Sequence, residues 1–169
     1  MKRIFLVLAL LSAGIGFYSC TPEPHFDNIP VISFNNVSKY TKLDLLGNKT
    51  DSLVIAIKFQ DGDGDLGVSS TLKEDSLLYK TTYNYQVRTF RQVKGVPVEI
   101  TQTVSNSGNF PRLRDDNKIG PIEGTLSRAI LVYPGTVPKS DTLSFKIKIM
   151  DRARNVSNEI STTQVVVNQ

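Results

Sequence analysis

The chain has 169 residues with 20 basic and 16 acidic side chains, and its net charge of +4 is spread along the sequence. No block of Lys and Arg points to nucleic acid, and a single cysteine excludes an internal disulfide. The one histidine, His25, sits in a proline-rich stretch with nothing to orient it, which argues against Ser-His-Asp, Cys-His and His-rich zinc chemistry.

Lys2 and Arg3 followed by the apolar run from Ile4 to Phe17 have the layout of a secretory signal. The run is shorter than the ~20 residues that cross a bilayer comfortably, so residues 1–19 are expected to be cleaved rather than to span. Phe17-Tyr18-Ser19-Cys20 resembles a lipobox, with Phe17 where Leu is usual. That resemblance implies that Cys20 becomes the lipidated first residue. Several acyl chains, each CH₂ contributing ~0.8 kcal/mol on burial, then make a stable anchor. Residues 20–30 read as a polar, proline-rich tether. Thr21 is not the aspartate that retains lipoproteins at the inner membrane of enteric bacteria, which implies the outer membrane. Loss of Lys2 and Arg3 leaves 18 basic against 16 acidic residues from Cys20 onwards, so the pI of 9.2 describes a nearly neutral protein, whose folded domain is expected over residues 31–169. It is long enough for one domain with its own core.

Period-two alternation dominates this domain and predicts half-buried strands. A first strand is expected at Val31–Val37. Ser52–Gln60 follows, with Leu53, Ile55, Ile57 and Phe59 on one face. A short helix is expected near Ser70–Tyr79. Tyr83, Tyr85 and Val87 start a strand that turns at Lys94-Gly95 and returns through Val96, Val98 and Ile100 as a hairpin. Ser105–Asn117 is the longest turn-rich stretch. Further strands are expected at Arg128–Tyr133, at Asp141–Asp151 with Leu143, Phe145, Ile147 and Ile149 inward, and at Ile160–Val167. About seven strands with almost no helix predict an all-β fold, a single antiparallel sandwich.

Asp61-Gly62-Asp63-Gly64-Asp65-Leu66-Gly67 is the segment richest in chemistry. Closely spaced aspartates offer the oxygen ligands that a hard cation such as Ca²⁺ requires, and the glycines permit a tight path. The opening resembles an EF-hand loop, but the sixth position is Leu66 instead of Gly and the twelfth is Leu72 instead of Glu, so an EF-hand is not supported. The alternative is a charged turn in water. With Phe59 and Gln60 before it, the segment resembles the loop that ends a strand in Ig-like and cadherin-like sandwich domains of Bacteroidetes-type exported lipoproteins. Asp151-Arg152-Ala153-Arg154-Asn155-Val156-Ser157-Asn158 resembles the "D-x-A-G-N-x-S-N" turn of such domains, with Arg154 in the glycine position. The resemblance implies an Ig-like fold. In that fold both segments leave strand ends and can converge, with Asp61, Asp63 and Asp65 joined by Asp151 or Asn155 around a structural calcium ion.

Three triplets, Asp51-Ser52-Leu53, Asp75-Ser76-Leu77 and Asp141-Thr142-Leu143, resemble the O-glycosylation signal of exported Bacteroidetes-type proteins, which makes Ser52, Ser76 and Thr142 candidate acceptors. No spacing selects a catalytic pair among Glu99, Glu123 and the aspartates. Tyr79, Tyr83, Tyr85 and Tyr133 are candidates for a sugar-stacking platform. The expected function is a lipid-anchored, non-enzymatic envelope module with a binding or structural role, its partner a glycan or another envelope protein. The alternatives are an accessory glycan-binding lipoprotein of a nutrient-uptake system and a carboxylate-based glycoside hydrolase.

Overall fold

The computed structural model describes residues 24–43, 45–78, 80, 82–114 and 118–167. The signal segment, Cys20 and Tyr79 lie outside them, as does the side chain of Ser76. Among the described residues the chain forms β1 (Val31–Leu43), β2 (Lys49–Asp61), a short helix α1 (Lys73–Leu78), β3 (Tyr85–Val93), β4 (Val96–Ile100), β5 (Ile122–Val132), β6 (Asp141–Ile149), β7 (Ile160–Ser161) and β8 (Val165–Val167). A three-stranded sheet in the order β1-β2-β5 faces a second sheet in the order β4-β3-β6-β7, with β8 also on β6. All strand pairs are antiparallel. The expected all-β antiparallel sandwich is what the sequence builds.

The two clearest alternations place the core. Leu53, Ile55, Ile57 and Phe59 of β2 face Leu143, Phe145, Ile147 and Ile149 of β6, and all eight are buried. Full burial of each such side chain is worth roughly 1.5–3 kcal/mol. Lys94 and Gly95 both adopt positive φ, 52° and 80°, the two-residue turn whose twist suits a hairpin. Tyr85 is sealed in the core with its ring edge-on to Phe110, which removes it from any sugar platform and pushes its phenol up to about 12 through burial.

Strand ends differ from the sequence expectation for reasons visible in the pairing. β1 runs on to Leu43, because an edge strand pairs through its backbone with β2 while its polar residues face water. β5 begins at Ile122 for the same reason. Ile160–Val167 is broken in two because the Thr162 hydroxyl accepts from the Phe145 N–H, replacing one backbone rung. Tyr83 precedes β3 and is exposed.

The sandwich has two distinct ends. At one, β2 finishes in Asp61, β6 is followed by Asp151, and β1 begins opposite Gln60. At the other lie the β1–β2 hairpin tip, the start of β6 and Val167, which pairs with Asp141. The sheets are stitched at the first end by Asn158, whose side-chain amide accepts from the Ile32 N–H at 2.8 Å and donates to the Ile32 carbonyl at 2.9 Å.

Candidate metal centre

Asp61 is the last residue of β2 and is fully buried, as is Asp151 beyond β6. A strand buried on its inner face delivers its next residue into the space between the sheets. Two such strands ending together therefore bring the two acidic segments together. The contact is direct: the Ala153 N–H donates to Asp65 Oδ2 at 3.0 Å, and the Arg152 guanidinium donates to the Gly67 carbonyl at 3.2 Å. The convergence expected of the two loops is present.

Carboxylate oxygens of Asp61, Asp63 and Asp65 lie within 4.8 Å of one another. On each residue Oδ1 is buried without a hydrogen-bond partner, while Asp61 Oδ2 accepts from the Asp65 N–H and Asp65 Oδ2 from Ala153. One oxygen of Asp61 and one of Asp65 thus serve the loop, and one oxygen of every aspartate is left over. Three buried, unpartnered carboxylate oxygens around one point are costly unless a proton or a cation compensates them. Burial is the main reason that the Asp61 carboxyl is pushed up to about 7, with Asp63, Asp65 and Asp151 adding repulsion. Burial, then Asp151 and Asp63, pushes Asp65 up to about 6. Asp151 also rises, mainly through burial.

Asn155 holds Asp151 in place. Its N–H donates to Asp151 Oδ1 at 2.7 Å and its side-chain amide donates to Oδ2 at 2.8 Å. Asp151 stands near enough to Asp61 and Asp65 to raise both their carboxyls, which places it beside the trio. Arg154 adopts φ 72°, so the turn keeps the left-handed step with a residue that pays for it sterically.

Several supports of this site carry no recognisable signature in the sequence. Gly67 adopts φ 88°, and a Cβ there would meet the Pro111 carbonyl at 2.0 Å, so the turn-rich stretch before β5 lies directly on the acidic loop. Asp75 of α1 accepts from the Ser69 N–H and forms a two-pronged pair with Arg112 at 2.8 Å, which holds its carboxyl below the usual range. Residues 26 and 27, ahead of β1, take part as well. The Gly62 N–H donates to the Asp27 carbonyl at 2.8 Å, and a Cβ on Gly62 would stand 2.4 Å from the Phe26 carbonyl. Invariant alternation marks strands, but nothing in the spacing of Phe26, Asp27 or Arg112 announces these contacts.

The remaining candidates are spread over the molecule. Asp51, Asp75 and Asp141 are all buried: Asp51 accepts from the Thr41 hydroxyl and Asp141 pairs with Arg91 at 3.1 Å. Ser52 and Thr142 are half-buried, each between an inward aspartate and an inward leucine. Glu99 is bound by Arg88 in one sheet, and Glu123 accepts from Gln60 in the other. Tyr133 is exposed at the end of β5.

Comparison of the chain with protein-family models, with curated proteins and with solved structures finds no match. What this site can do is set by its geometry.

Proposed function

We propose that this chain is a lipid-anchored, non-enzymatic module of the bacterial cell envelope, held at the outer membrane through Cys20, whose sandwich is stabilised by Ca²⁺ in the Asp61–Asp65 loop. Its role is binding or structural. The observation that carries the calcium reading is the set of three buried, unpartnered Oδ1 atoms on Asp61, Asp63 and Asp65, with Asp151 beside them. An all-oxygen donor set with several negative charges suits a hard cation, and backbone carbonyls and water supply the remainder of a shell of six to eight. The non-enzymatic reading is supported by the separation of Glu99 and Glu123, which lie in different sheets with partners of their own. The anchor rests on the signal-like residues 1–19 and the position of Cys20.

Thermal unfolding of the chain from Thr21 onwards, first in chelator and then with calcium, tests the site. Binding to the folded state at about a hundred-fold excess over Kd adds about 2.7 kcal/mol, a rise of roughly 5–10 °C in Tm for a domain of this size. Asp63→Asn removes a ligand charge while keeping the loop's size and is expected to abolish most of that rise. An unchanged Tm in the parent chain would make the loop a charged turn.

A further inference from the structure

The border strands of the sandwich are blunted everywhere but at β5. β1 carries a bulge between Phe34 and Asn36, Lys39 donates to the Val166 carbonyl, and Asn158 takes both backbone groups of Ile32. β4 has five residues including Pro97, while β7 and β8 have two and three. Bulges, lysines, prolines and short lengths are the devices that keep a sheet edge from pairing with another chain. β5 has none of them: it is eleven residues long, in unbroken register with β2, and free of proline and lysine.

The pairing fixes which backbone groups β5 leaves open. Asn158 holds the N–H and carbonyl of Ile32, so these point away from β2, and those of its partner Phe59 point toward β5. The register then leaves the N–H and carbonyl of Glu123, Thr125, Ser127, Ala129 and Leu131 at the free edge, and all five residues are exposed. No hydrogen bond among the described residues reaches these backbone groups.

The facing sheet is bare on the same side. β5 lies over β3, where the Arg128 guanidinium stands 5.6 Å from the Tyr85 ring centroid, and the first sheet ends there. β4, one strand further out in the second sheet, has no strand opposite it. Arg91 and Val93 continue the inward row of Tyr85 and Thr89, and their cross-strand partners Val98 and Val96 share that inner face. Even so, Val98 is 44% and Val96 60% exposed. A cleft of about 680 Å³ opens here between Leu131 and Tyr133 on one side and Gln102 and Val104 on the other. A fourth strand in the first sheet would pair with β5 and cover these valines.

We infer that β5 is a dimerisation edge, pairing antiparallel with β5 of a second copy about a two-fold axis at Ser127 and joining two three-stranded sheets into one of six. β5 is its own complement. Ser127 is the middle of Ile122–Val132, so pairing about it engages the whole strand. Thr125 then faces Ala129 of the second copy, Glu123 faces Leu131 and Arg128 faces Leu126, so no like charges are opposed. Ile122 of the second copy arrives at the end of the molecule where Val96 and Val98 are bare. The inference depends neither on calcium nor on the lipid anchor.

The core runs from Ile32 to Val167, so the chain from Thr21 onwards contains the whole fold and can be tested without its acyl groups. In sedimentation equilibrium it is expected to pass from monomer to dimer as concentration rises. Thr125→Glu with Ala129→Glu opposes like charges twice across the axis and is expected to raise the dimer Kd about ten-fold. Thr125→Glu with Ala129→Lys places opposite charges there and is expected to keep the dimer. Both positions are exposed, so each variant should fold. Ser127→Pro removes an N–H that β2 does not use, and is expected to abolish the dimer while circular dichroism shows the sheets intact. A parent chain that stays monomeric up to about 1 mM would overturn the inference and leave the edge to a strand of another protein. Equal Kd values for the two double variants would overturn it too, as would a folded Ser127→Pro chain that still dimerises.

Discussion

The titration of two aspartates gives the acidic loop a measurable sign. In the absence of a cation, the folded Asp61 and Asp65 hold protons up to about pH 7 and 6, against an ordinary value of 3.8. Over that window the folded state binds more protons than the unfolded chain, so stability falls as pH rises through it. Asp75 has the opposite sign, because Arg112 lowers its carboxyl, and its contribution is lost only at more acidic pH. The expected result is a lower Tm in chelator at pH 8 than at pH 5, and no such fall when calcium replaces the protons. A flat profile in chelator would mean that the loop carboxylates titrate as exposed ones do. At Arg154 the left-handed backbone costs an L-residue roughly 1–2 kcal/mol, part of which Arg154→Gly loses again through the freer unfolded chain. The net expectation is stabilisation by about 0.5–1 kcal/mol in denaturant unfolding, without change in the response to calcium.

Elements in this protein are joined by side chains standing in for backbone. Ser157 Oγ accepts from the Ile149 N–H, Thr162 Oγ1 from the Phe145 N–H, and Asn158 closes both backbone groups of Ile32. Asn158 therefore does for the edge of β1 what a neighbouring strand would do, and it ties the turn that begins at Asp151 to the opposite sheet. Asn158→Ala leaves a partly buried N–H and carbonyl without partners and is expected to cost about 1–3 kcal/mol. Hydrogen exchange at the Ile32 amide should speed up more than at Ile55 or Ile147. Uniform acceleration across the sheets would show that β1 and the core open together. The motif Asp151–Asn158 reads in sequence as a turn; its last residue acts as a clasp, which a turn signature does not convey.

For the whole molecule, the legible part of the sequence was the part with a repeating period. Leu53 to Phe59 and Leu143 to Ile149 alternate strictly, because one face of each strand meets the core and the other meets water, and that pattern fixes the sandwich. β1 beyond Val37 and β5 before Arg128 have no such pattern, since pairing through the backbone needs no particular side chain. At the site, Asp61, Asp63, Asp65 and Asp151 stood out by chemistry and spacing. The contacts of Asp27, Phe26 and Arg112 did not, because each bridges residues far apart in sequence through a carbonyl or a single ion pair. Tyr85 offers a ring suited to sugar stacking but is core, because the same alternation that marks a strand also turns every second ring inward.

The placement of the first and last strands has a mechanical consequence. β1 begins at the acidic end, and β8 finishes at the other, so a pull applied between residues 31 and 167 runs along the strands instead of across them. Hydrogen bonds in antiparallel pairs lie perpendicular to the strands, and in this geometry the rungs between β1 and β2 bear the load together, not one after another. A pull applied ahead of Asp27 would first meet the bond between Asp27 and Gly62, inside the acidic loop itself. A cation that stiffens this loop would act as a rivet at the point where tension on the segment ahead of β1 is first felt.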